Sequence, residues 1–310
     1  MAGLVRAVRS EGSWPVRASL SRTVRGQAWR SGNGGTASPV KTWATVLTVA
    51  TLALMTVVSV VGLSVPGVYQ APRSVIAMLQ GYDLVTLAVA VPALALTLLP
   101  HPRHTVQASL VRLAVLGYAS YNYASYVFGT GFSDVFLLQD AAFTTATFAV
   151  GFSAASLDLG RIYKSFRPTT PARAISSVLA LLAGGFGAMW TFYSLRIALT
   201  GEPPRESLLV LPEQNLHLAY VLDLTLLVPG YGLAAALLWR RTRWGFPLAA
   251  TLLVFTLLHE LSYMAALAAQ ARAGISSSGA LDPQALAIIA VVLVATLALF
   301  ASTRPQPSAR

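Results

Sequence analysis

Long apolar runs alternate with short polar connections along this chain, and eight of the runs are long enough to cross a bilayer. A hydrocarbon core of ~30 Å needs about 20 apolar residues in a helix. The runs cover 42–65, 74–99, 105–128, 132–155, 173–198, 216–239, 244–271 and 284–303. The third, with Arg112 and Asn122, and the fourth, with Asp134 and Asp140, are the least apolar; the alternation of loops requires them. The pattern predicts an all-α polytopic membrane bundle of eight helices over 42–303, between a basic tail, 1–41, and a short tail, 304–310. Both tails are expected in the cytoplasm.

Charge sets the expected orientation. Assigned to alternate loops, 17 Lys and Arg residues fall on the side of the two tails and 3 on the other. Basic loops stay cytoplasmic, so both termini are read as inside, in a plasma membrane. Overall composition agrees: 55% of the 310 residues are hydrophobic and 11% are charged, against roughly 25% charged in soluble domains. The net charge of +11 belongs to the tail and loops and forms no folded basic face, so nucleic acid is not an expected partner; the lipid bilayer is. The tail 1–41 is rich in Arg, Ser and Gly. That composition fits a disordered cytoplasmic segment, an organelle transit peptide or an anionic-lipid contact. The absence of cysteine excludes thiol catalysis, disulfides, Cys-ligated metal and iron–sulfur clusters. The segment 199–215 is expected to hold a short interfacial stretch, and no internal repeat is visible.

With orientation assigned, each intramembrane polar residue acquires a depth. Asp83, Tyr118, Tyr121, Asn122, Asp140, Arg196, His217, Tyr220, Asp223, His259, Glu260 and Tyr263 all fall in the outer halves of six different spans. Tyr118, Tyr121, Asn122 and Ser125 follow one helical stripe, as do Asp140, Thr144 and Thr147. Asp83, Asp140, Asp223 and Glu260 would together cost on the order of 10 kcal/mol if turned to lipid. The expectation is a shared acidic cavity that opens outward, with Arg196 and His217 at its mouth. Spans 1 and 8, which have no ionisable core residue, are expected at the periphery. Tyr123 is assigned to the interfacial aromatic belt, and Ala180, Gly184 and Ala188 to close helix packing.

The pair His259–Glu260 suggests H-E-x-x-H zinc chemistry, but Tyr263 stands where the second histidine would be. His217, Asp223, His259 and Glu260 remain candidate metal ligands. Haem held by His217 and His259 is disfavoured because the two lie at different depths. His101 and His104 are expected at the cytoplasmic interface. The stretches "QGYDLVTLAVAVPALAL", "YNYASYVFG" and "YVLDLTLLVPGYGLAAALLWRR" resemble segments of uncharacterised bacterial multipass membrane proteins. That resemblance implies a polytopic protein and brings no activity. The sequence supports transporter-like binding of a small solute or cation. It also allows an enzyme, with or without a metal, acting on an outer-leaflet lipid or extracytoplasmic substrate, with His259 or Glu260 as general base, and a non-catalytic sensor or assembly partner.

Overall fold

Helices occupy every stretch where the apolar pattern predicts one. The computed structural model describes residues 38–100, 105–201, 208–275 and 281–304. The expectations for the basic tail before residue 38 and for His101 and His104 lie outside the described residues. The elements are α1 (Pro39–Ser64), α2 (Arg73–Val85), α3 (Val91–Leu98), α4 (Val106–Gly129), α5 (Phe136–Ala155), α6 (Leu159–Ser165), α7 (Ala172–Thr200), α8 (Glu213–Leu222), α9 (Val228–Trp239), α10 (Gly245–Arg272) and α11 (Pro283–Ala301). Among the described residues six helical rods are long and apolar enough to cross a membrane, and a seventh qualifies if α5 and α6, bent by 75°, are one span. The rod α4 carries Arg112 and falls outside that set.

Local chemistry accounts for the helix ends. Thr105 accepts a hydrogen bond from the Ala108 amide (3.0 Å) and caps α4. Asp282 accepts one from the Gln284 amide (2.8 Å) and caps α11, with Pro283 in the first turn. Both use a side-chain oxygen to satisfy an orphan N–H. Gly201 ends α7 at φ 68°, a left-handed conformation that costs glycine nothing. Within the rods Thr48, Thr51 and Thr56 return their hydroxyls to the carbonyl four residues back, so they need no partner from another helix.

Two rods are interrupted. A π turn, Thr86–Ala90, separates α2 from α3, and a second, Asp223–Leu227, separates α8 from α9. Each is followed at once by Val-Pro: Val91–Pro92 and Val228–Pro229. Proline offers no N–H and its ring collides with the carbonyl four residues back. The ladder adjusts by one residue, so Val91 N–H bonds to Thr86 O and Val228 N–H to Asp223 O. Hydropathy alone predicts both spans as continuous.

Packing repeats across the two halves, although the sequence reading finds no repeat. In the first half α1 packs on α2 and α5, and α4 on α3 and α5; in the second α7 packs on α9 and α11, and α10 on α9 and α11. The halves meet through α10, which packs on α2 and α4. At Gly81 any Cβ would strike the α10 backbone at Ala265 and Ala266, so the α2–α10 crossing is close. The expected stripe Ala180–Gly184–Ala188 is not a packing face: all three are exposed, and a Cβ at Gly184 meets open space. Ala183 and Gly187, one position earlier on the helix, face α9 through Gly232 and Val228. Large apolar side chains such as Leu137, Phe148 and Leu199 stand outward, as suits a hydrocarbon solvent.

The basic connections gather at one end. Arg167 N–H bonds to Ser302 O (3.0 Å), Arg304 N–H to Ser165 O (2.8 Å), the Arg241 guanidinium to Thr170 O (2.6 Å) and Gln107 to Thr303 (2.6 Å). The opposite end is tied by Gln270, wholly buried, which accepts from Val210 N–H and donates to Val210 O and Ser74 O, each at 2.9 Å. Asn215 donates to Gly129 O (2.7 Å) at that same end.

Candidate functional site

The intramembrane polar residues divide into a sealed hub and an open chamber. In the hub Asp83, wholly buried on α2, accepts from the Tyr69 hydroxyl (2.6 Å) and the Tyr126 hydroxyl (2.9 Å). A Cβ at Gly62 of α1 would collide with both the Tyr69 hydroxyl and the Asp83 carboxylate. Glycine is therefore required there for close approach. Tyr69 lies in the α1–α2 connection. Burial, and then the neighbouring Asp83, push its phenol upward, so it stays protonated as a donor. Asp83 thus anchors packing and lies outside the chamber lining described below, although the sequence predicts it in the cavity. Span 1 is not merely peripheral either, since it closes this hub.

Next to the hub lies a second closed cluster. The Tyr118 hydroxyl is 2.7 Å from Ser262 Oγ and 3.1 Å from Thr86 Oγ1, and Asn122 donates weakly to Thr86 (3.4 Å). Tyr123, assigned by sequence to the belt, is buried with its ring 5.1 Å from that of Tyr126.

The chamber has a volume of about 290 Å³ and lies among α7, α8, the second π turn, α10 and the start of α11. Its acidic lining is Asp223, Glu260 and Asp282; its aromatic lining includes Trp190, Tyr193, Tyr220 and Tyr263; His259 completes the polar wall. Asp223 opens the π turn and accepts from the Tyr121 hydroxyl. His259 is near enough to Asp223 for their charges to interact, and its ring packs edge-on to Tyr121 (5.1 Å) and stacks on Phe255 (5.8 Å). The Trp190 indole lies 4.3 Å from the Tyr220 ring, with its N–H toward Asp223 but closing no hydrogen bond of ordinary geometry. Tyr263 donates to Asp282 (3.1 Å). Glu260 is only 5% exposed and lines the chamber, yet its carboxyl meets no hydrogen-bond donor among the described residues. It feels the like charges of Asp282 and Asp223.

The sequence reading groups twelve residues, and the chamber brings together Tyr220, Asp223, His259, Glu260 and Tyr263, with Tyr121 bonded from behind. Tyr118 and Asn122 sit in the adjoining cluster. Asp140 does not join: it is exposed, with Thr144 and Thr147 on the same outward stripe, because α5 turns its alanines Ala142, Ala146 and Ala149 inward. Asp140 lies in the second turn of α5, near the bundle end. His217 is also exposed, since the stripe facing the chamber is Leu216, Tyr220 and Asp223. Arg196 is half-buried and lies beyond the chamber lining. Among the described residues no three His, Asp or Glu side chains come together to hold a metal ion, so the quartet His217, Asp223, His259 and Glu260 is not assembled.

Sequence reasoning missed Asp282, which lies between the seventh and eighth predicted spans. The triplet Asp-Pro-Gln was the available signal, because a capping aspartate before a first-turn proline marks a helix start. Through that cap α11, expected at the periphery, supplies part of the wall. The two halves also differ at related places. Thr86 and Asn122 stand to Asp223 and His259 at the sequence separation that relates Pro92 to Pro229. A closed Thr–Asn contact in one half is an ionisable Asp–His pair facing a hollow in the other.

No family model, curated protein or solved structure matches this chain. The chemistry of the chamber therefore carries the functional argument alone.

Proposed function

We propose that the protein is an eight-span plasma-membrane protein, with both termini cytoplasmic, that binds a small organic cation in a transporter-like chamber in the outer half of the bilayer. The gathering of Arg161, Lys164, Arg167, Arg240, Arg241, Arg243 and Arg304 at one end supports the orientation. The observation that carries the binding reading is the Glu260 carboxyl, which meets no donor among the described residues, beside Asp223 and Asp282 in an aromatic-walled hollow. A carboxyl buried without donors keeps its charge only when a positive partner pairs with it. Trp and Tyr faces attract ammonium groups, the more so when water is excluded. Trp190, Tyr193, Tyr220 and Tyr263 offer such faces around the acids.

The test uses purified protein in nanodiscs and choline as the probe, read by intrinsic tryptophan fluorescence against a Trp190→Phe control. A saturable change is expected, lost in Glu260→Gln with thermal unfolding unchanged. Choline binding by Glu260→Gln at wild-type strength would sink the reading.

A second reading is catalysis. Tyr121 orients Asp223, and Asp223 faces His259, an order of groups that could hold a general base. Under that reading phosphatidylcholine nanodiscs release a water-soluble headgroup with wild-type protein and none with His259→Gln. Absence of release from the wild type removes it.

A further inference from the structure

The chamber does not end at its polar wall. A hollow of about 390 Å³ follows it down the seam between α7 and α11, and shares Phe186, Met189, Gln284 and Ile288 with the chamber lining. A further hollow of about 380 Å³ continues toward the basic end and shares Val178 and Val291 with the one above it. Shared lining residues set the three end to end along the α7–α11 seam, as one trough. From Gln284 to Ala298 it follows fifteen residues of α11, about 20 Å at the helical rise. Below Gln284 its walls are hydrocarbon: Leu182, Phe186, Val291, Ala295 and their neighbours. Small residues keep it open. A Cβ at Gly185 would meet nothing within 4 Å, and Ala287 and Ala290 line the facing helix.

Resting on the cation-binding reading above, we propose that the ligand is a single amphiphile: its cationic headgroup occupies the chamber and its hydrocarbon tail lies in the α7–α11 trough. Charge complementarity selects the head. Three carboxyl groups and one imidazole line the chamber, so an anionic head would meet like charge in a poorly screened site. Continuity selects the tail. The trough opens from the same chamber, between the same two helices, and carries no polar group over most of its length. A tail drawn from the bilayer gains little by entering another apolar surface, because lipid chains are as apolar as the trough. The head therefore supplies the affinity, and the trough fixes the direction in which the molecule lies and the side from which it arrives. A ligand of this form reaches the chamber laterally, from the membrane, and not only from water.

The experiment pairs two hexadecyl probes with the same photoactivatable diazirine in the chain, one headed by trimethylammonium and one by sulfate. Each is incorporated into nanodiscs with the full chain, irradiated, and its labelled peptides mapped by mass spectrometry. The ammonium probe is expected to label 178–189 and 284–298 several-fold more than the sulfate probe, and excess choline is expected to displace it. Gly185→Phe fills the trough away from the chamber. It should cut that labelling several-fold and leave choline binding at the wild-type value. Equal labelling by both probes, labelling spread over the outward faces of α1 and α5, or no effect of Gly185→Phe would overturn the proposal. So would crosslinking of the seam to a second copy of the chain. If choline binds the wild type and labelling is unselective, the tail assignment alone fails. If choline does not bind the wild type, the chamber reading fails first.

Discussion

Asp83 and Asp223 show how little the residue type decides. Both are buried acids in equivalent-looking apolar runs. Asp83 is met by two phenols and an obligatory glycine, so it behaves as a packing knot. Asp223 is met by one phenol and otherwise faces a hollow beside Glu260. Tyr126→Phe removes one of the two donors to Asp83 and is expected to destabilise by about 1–3 kcal/mol, the cost of leaving a buried polar group short of a partner. Gly62→Ala should cost a similar amount, about 1–3 kcal/mol, by overpacking. Thermal unfolding in one detergent measures both, and choline binding should survive in each. If Tyr126→Phe abolished binding without loss of stability, the hub would belong to the site. The need for partners was legible in the sequence, because the cost of an unpaired acid in lipid is general. Which partner each acid finds depends on Tyr69 and Gly62, which lie outside the polar stripes.

At the scale of elements, the two prolines decide how the spans present their side chains. The π turns place Asp223 at a register that an uninterrupted α-helix would not give. Such bulges recur at functional positions. Pro229→Ala restores an N–H where the ladder shifts and allows a regular helix through 223–227. That turns the segment carrying Tyr220 and Asp223 relative to α9, so choline affinity should fall while the unfolding temperature does not. Pro92→Ala alters only the closed half and should leave affinity unchanged. Equal loss of affinity in both variants would contradict this division. The Val-Pro pairs are plain in the sequence, but proline also kinks helices without a π turn, so the register shift could not be read from them. The same limit explains the displaced small-residue face on α7. Spacing alone marks Ala180, Gly184 and Ala188, and only the neighbour α9 selects Ala183 and Gly187.

Across the whole molecule, the positions and lengths of the helices follow from hydropathy, because a bilayer demands long apolar rods whatever their neighbours. The meeting of six spans at one cavity did not follow. A helix has room for more than one polar stripe, and Asp140 and His217 belong to outward ones. The expected topology is open to a direct check, because the chain contains no cysteine. Single replacements Gly131→Cys and Leu281→Cys should react with an impermeant maleimide in intact cells. Arg243→Cys and Arg304→Cys should react only after lysis. Reaction of Arg304→Cys in intact cells would reverse the orientation and with it the outward position of the chamber. The most direct measurement bears on the charge of the ligand itself: calorimetric titration of the nanodisc protein with choline and with its uncharged isostere, in which carbon replaces the ammonium nitrogen. Saturable binding of choline and none of the isostere is the expected result. Equal binding of the two, or binding of neither, would contradict a cation site built on Asp223, Glu260 and Asp282.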